Sequence, residues 1–157
     1  MTDKRWAYEA LDIGVSIALG ERLVTAEEII RSASQFDPQP MHLDEEAGKA
    51  SILGGLAASG WHTCSMFMRM AYDAFLKDST SQGGPGVTDL SWKRPVLAGD
   101  RLTGSSTVVE RRVLKSRPHV GLVTFRHEVT NQRGETVMEL MNPILFALRD
   151  PQAEQRA

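Results

Sequence analysis

The chain has 157 residues, 41% of them hydrophobic, and a formal net charge of −2. That suffices for one globular domain with a sizeable core, and no basic tract marks nucleic acid as a partner. A single cysteine, Cys64, excludes an internal disulfide and a zinc site built from several thiolates. The stretch Met1-Thr2-Asp3-Lys4-Arg5-Trp6 has no apolar run behind its charges, and no segment reaches the roughly 18 apolar residues of a membrane span. A soluble cytoplasmic protein without a membrane partner is expected.

In chain order, Val15 to Leu19 alternates and predicts a first strand, closed by Gly20. Thr25-Ala26-Glu27-Glu28 predicts a capping box, in which Thr25 and Glu28 satisfy each other's free amides. The helix that follows carries Ile29, Ile30, Ala33 and Ser34. It stops before Asp37, because Pro38 and Pro40 cannot continue a helix and bias their predecessors toward extended geometry. Asp37 and His42 therefore share one stiff loop. Leu43 to Ala50 predicts a short helix with its acids in the first turn, as the helix dipole favours.

Gly60 to Lys77 reads as the main helix. Trp61, Cys64, Phe67, Met68, Ala71, Tyr72, Ala74 and Phe75 cover most of its circumference, leaving only His62, Arg69, Asp73 and Lys77 polar. A helix so apolar is expected to be enclosed. Ser79 to Gly86 is a loop by composition. The period then drops to two. Val87 to Trp92 is a strand, Leu97-Ala98-Gly99-Asp100 a turn, and Arg101 to Arg112 a second strand. His119 to Thr130 places Val123, Phe125, His127 and Val129 on one face. After the Asn131–Gly134 turn, Thr136, Met138, Leu140, Ile144, Phe146 and Leu148 share a face of the last strand. Helices first and hairpin strands after predict an α+β fold, with an antiparallel sheet covering one buried helix. The domain spans 1–148, and 149–157 reads as a loose polar tail.

Chemistry concentrates in two stretches, Phe36-Asp37-Pro38-Gln39-Pro40-Met41-His42 and Gly54-Gly55-Leu56-Ala57-Ala58-Ser59-Gly60-Trp61-His62. The first offers a carboxylate and an imidazole. The second opens the long helix with Ser59-Gly60, where unpaired amides at the positive end of the dipole can hold an oxyanion. Glycine there lets a carbonyl approach without a Cβ in the way. By residue type alone, Asp37 also fits a turn, His42 a surface side chain and Ser59 an ordinary helix cap.

Asp37-Pro38-Gln39-Pro40-Met41-His42 resembles the Asp-x-Asn-Pro-aliphatic-His signature of MaoC-like, (R)-specific enoyl-CoA hydratases. Ala58-Ser59-Gly60-Trp61-His62-Thr63 resembles their helix-opening element, and Pro95-Val96-Leu97-Ala98-Gly99-Asp100 their Pro-Val-x-x-Gly-Asp turn. The resemblance implies a single hot-dog domain, a homodimer or higher homo-oligomer, and an acyl-CoA thioester substrate. It further implies a hydro-lyase needing no metal or redox cofactor, with Asp37 and His42 handling water and Gly60 the oxyanion. Gln39, Ser59, Trp61, Lys93 and Arg94 are the expected substrate contacts. Three positions depart from the pattern. Gln39 stands for Asn, the small residue after the His is Ala47 or Gly48, and a serine many members carry falls at Met68, near Ser65.

Other residues carry two readings. Lys93, Arg94, Arg111, Arg112, Lys115 and Arg117 fit either a grip on coenzyme A phosphates or a solvated strand edge. Met66, Met68 and Met70 fit core filling better than an acyl tunnel. His62 and Cys64 read as packing, and His127 as a core or interface histidine. A hot-dog thioesterase would want an acid on the central helix, and Asp73 is the lone candidate. A binding subunit that holds an acyl thioester without chemistry is the rival of a different class.

Overall fold

The computed structural model describes residues 3–152. Its frame is three long antiparallel strands, β4 (Arg101–Val113), β5 (Val120–Thr130) and β6 (Thr136–Ala147). The edge strands β1 (Ser16–Ala18) and β3 (Thr88–Trp92) complete the order β1-β4-β5-β6-β3, and β2 (Arg22–Leu23) also pairs with β4. Every pairing is antiparallel. The period of two fixes which face is inside: Val123, Phe125, His127 and Val129 are all buried along β5. On β6 the buried set is Val137, Met138, Leu140, Asn142, Ile144 and Phe146.

Across this face lies α3 (Gly60–Ala74), which buries Met66, Phe67, Met70 and Ala71 against the strands. Phe75, just past its end, sits 5.4 Å from Phe125, centroid to centroid. The single sheet over one helix is the α+β arrangement expected. Two expectations about this helix need correction. It ends at Ala74 rather than Lys77, because Phe75 leaves helical geometry at φ −152°, and Leu76–Asp78 forms a separate 3-10 turn. Nor is it enclosed: Trp61, Met68 and Tyr72 are 64%, 46% and 49% exposed. These three lie at spacings of seven and four, which is one helical stripe, and it is left exposed.

The shorter helices are α1 (Ala26–Phe36) and α2 (Glu45–Ala50). Thr25 caps α1 by accepting from the Glu28 amide at 3.2 Å. The capping box is only half formed, however. Glu28 turns its carboxylate to Arg22 at 3.4 Å and toward His62 at 3.9 Å instead of returning to Thr25. Asp44 caps α2 through the Ala47 amide at 2.9 Å. Gly48 answers the question of the small residue: a Cβ there would run into the carbonyl of Gly55.

The polar stretch after Leu148 does not begin loose. The amides of Arg149 and Asp150 donate to the two carboxylate oxygens of Glu9 at 2.8 and 2.7 Å. The remainder of the expected tail, 153–157, lies outside the described residues. Among the described residues no helix is long and apolar enough to cross a membrane.

Candidate active site

Asp37 closes α1, its amide bonded to the Ala33 carbonyl at 2.9 Å. Pro38 stops the helix there, and Pro40–His42 forms a single 3-10 turn that brings the imidazole back over the carboxylate. His42 is buried, with Nδ1 2.7 Å from the Ala57 carbonyl oxygen. A carbonyl oxygen only accepts, so Nδ1 carries a proton and Nε2 is the ring nitrogen left to face the carboxylate. Nε2 sits 3.5 Å from Asp37 Oδ2.

Both carboxylate oxygens of Asp37 already accept a hydrogen bond. Gln39 Nε2 donates to Oδ1 at 2.7 Å, and Ser59 Oγ donates to Oδ2 at 2.6 Å. These bonds, that of Ser59 foremost, hold the carboxyl below its ordinary pKa, because they stabilise the charged form. Gln39 thus keeps the amide function expected of Asn at its position, with the amide turned to Asp37. Ser59, expected among the substrate contacts, is likewise bonded to the carboxylate.

Ser59 occupies the N-cap of α3 but makes no capping hydrogen bond. The first-turn amides are therefore not claimed by a side chain, and they sit at the positive end of the helix. Gly60 begins that turn, and a Cβ on it would run into the Trp92 indole. Trp92, at the end of β3, meets Trp61 edge-to-face at 5.2 Å.

Two cavities flank the Asp37–His42 pair. One, of about 230 Å³, is lined by His42, Gly60, Thr63, Trp92, Lys93 and Arg94, among others. The other, of about 290 Å³, is lined by Phe36, Asp37, Ser59, Trp61, His62 and Ser65, among others. The pair and Ser59 thus stand between two spaces, with the opening of α3 beside both. The structure brings Asp37, Gln39, His42, Ser59, Gly60 and Trp61 together, with Lys93 and Arg94 at the rim.

The rim cations are not free charges. Lys93 Nζ lies 3.4 Å from Glu139 and Arg94 3.2 Å from Glu135. The remaining basic residues are elsewhere. Lys93 bonds β6 at Val137, whereas Gly121, the register partner of Val113, lies opposite Phe146. Nine residues of strand separate those points, roughly 30 Å at ~3.4 Å per residue. Arg111 is paired with Asp12 and lies over the Tyr8 ring at 3.9 Å.

His62 is buried beside Glu28, and burial pushes its pKa down. Cys64 Sγ packs 3.6 Å from Met138 Sδ, and burial pushes its thiol up, as a packing residue requires. Met66 and Met70 fill the core, while Met68 faces outward. Among the described residues no group of three or more His, Cys, Asp or Glu side chains could hold a metal ion. Two participants escaped the sequence reading. Ala57 acts through a carbonyl, which no residue type announces. Trp92 is an aromatic directly before Lys93-Arg94, and that juxtaposition was its one available signal.

A six-stranded antiparallel sheet over one helix, with the polar cluster at the helix's start, defines a hot-dog domain. The chain belongs to the MaoC-like domain family, whose model matches residues 13–131. The MaoC-like dehydratase from Rhodospirillum rubrum is 38% identical, with a TM-score of 0.84 over 92% of this chain and 98% of that one. Mesaconyl-CoA hydratase from Haloarcula marismortui is 33% identical over 81 residues, 50% of this chain but only 23% of that protein. The R-hydratase PhaJ1 from Pseudomonas aeruginosa, 23% identical, shares the fold at a TM-score of 0.72 over 92% of this chain and 86% of that one.

Proposed function

We propose that the protein is an (R)-specific enoyl-CoA hydratase, equivalently a 3-hydroxyacyl-CoA dehydratase. The observation that carries this reading is Asp37 Oδ2 lying 3.5 Å from His42 Nε2, beside the uncapped opening of α3. Two acceptors so placed suit one water, whose two O–H groups point one to each. The water loses a proton to the pair, His42 Nε2 being the site open to it, and its oxygen bonds to the β-carbon. The double-bond electrons move toward the thioester oxygen, where the first-turn amides at Gly60 stabilise the enolate. The same proton is then delivered to the α-carbon, so the step balances without an oxidant or reductant.

Membership of a family with a hydratase among its relatives supports the reaction class. Trp61, Met68 and Tyr72, with half-exposed Trp92 on the edge strand β3, support assembly as a homodimer that covers them. The test is loss of enoyl absorbance when purified protein meets a panel of trans-2-enoyl-CoA esters. Turnover with an (R)-3-hydroxyacyl product is expected. Silence across the panel, with thermal stabilisation by acyl-CoA, overturns the enzyme in favour of a binding subunit.

A further inference from the structure

We propose that Ser59 is a positioning residue of this reaction, fixing the reactive oxygen of Asp37 while leaving the first turn of α3 open for the thioester oxygen. The inference rests on the hydratase reading and adds a residue to it. A serine at an N-cap ordinarily turns its oxygen back to an amide of the first turn. Ser59 does not: the proton of its hydroxyl goes to Asp37 Oδ2 at 2.6 Å, and no cap bond forms. One side chain thereby serves both halves of the chemistry, the carboxylate by a bond made and the amides by a bond left unmade.

The geometry singles out this hydroxyl among the groups around Asp37. The carboxylate faces three side chains: Gln39, Ser59 and, as its charged partner when protonated, His42. Gln39 is exposed and holds Oδ1, the oxygen away from the imidazole, so water can replace it. Ser59 is buried, 3% exposed, and holds Oδ2, the same oxygen that faces His42 Nε2. Without that bond the carboxylate can rotate about its Cβ–Cγ axis, and the spacing to Nε2 is no longer set. A charge-assisted bond at this distance is also among the strong ones. It makes Asp37 a weaker base, which suits an acceptor that orients water while the imidazole takes the proton.

The experiment compares wild type with Ser59→Ala and Ser59→Thr, by steady-state hydration and by carboxyl NMR titration of Asp37. For Ser59→Ala, kcat is expected to fall about 10- to 100-fold with KM within about twofold, as loss of a hydrogen bond to a charged group implies. The Asp37 titration is expected to move up toward the ordinary carboxylate range. Ser59→Thr, which keeps the hydroxyl, is expected to restore both. A raised KM at unchanged kcat would instead make Ser59 a substrate contact and overturn the inference. So would an unmoved Asp37 titration, or thermal destabilisation with intact kcat, the mark of a plain helix cap. If Ser59→Ala does not fold, Ser59→Cys, near in shape and a weak donor, is read by the same criteria. A wild type that hydrates no enoyl thioester sinks the hydratase reading. An active wild type matched by an equally fast Ser59→Ala sinks this inference alone.

Discussion

His127 should make the fold acid-sensitive in a defined window. It is 1% exposed, with Nδ1 2.7 Å from Ser106 Oγ and Nε2 3.3 Å from Asn142 Oδ1. With Asn142 placed by that oxygen, Nε2 donates and Nδ1 accepts from Ser106, so the ring is neutral. Burial between Phe67 and Phe125 brings its pKa down from 6.5 to about 4. The unfolded chain binds a proton below about 6.5 that the folded chain refuses until about 4. Its contribution is therefore complete above the unfolded value and lost as pH falls toward the folded one. At about 1.4 kcal/mol per pH unit, the gap between 6.5 and about 4 amounts to roughly 3 kcal/mol. Urea unfolding of wild type and His127→Gln, from pH ~7.5 down to ~4.5, isolates the effect. Gln cannot titrate, so lost packing lowers its curve by an offset while other carboxylates act on both proteins alike. Wild type should lose most of that amount relative to the variant. Parallel curves would refute the assignment of a buried neutral imidazole.

Three other contacts of the fold can be tested by substitution. Gly48→Ala places a methyl on the Gly55 carbonyl and should cost about 1–3 kcal/mol in urea unfolding; a neutral result would contradict the close approach. Gly60→Val drives its side chain into the Trp92 indole. It should shift tryptophan fluorescence and lower kcat at least ~100-fold with the fold retained, the loss expected when a first-turn amide is displaced from the developing oxyanion; full turnover would remove the oxyanion role. Glu28→Gln weakens the link among Arg22, Glu28 and His62 and should destabilise by about 1–2 kcal/mol; unchanged stability would show that the link carries nothing.

Much of the fold was legible because each long element repeats its period. The alternation of Val123, Phe125, His127 and Val129 fixed the inner face of β5 without help from other segments. Asp37 and His42 could be paired because two prolines leave the chain between them few shapes. What stayed hidden depends on long-range choices that residue type does not encode. A serine before a glycine looks the same whether its hydroxyl caps a helix or reaches Asp37. Glu28 three residues after Thr25 reads as a capping partner until Arg22 and His62 are seen beside it. Trp61, Met68 and Tyr72 have the hydropathy of core residues, so only the position of the sheet reveals that they face outward. The basic residues split likewise, since their distance apart is set by strand register.

The most direct test of the central claim is a double-mutant cycle on Asp37 and His42, using Asp37→Ala, His42→Ala and the combined variant against the best enoyl-CoA substrate. If both groups act on one water, either single change should remove nearly all turnover. The double variant should then be scarcely slower than the singles. Losses that multiply independently, or wild-type rates in either single variant, would contradict the pairing on which the account rests.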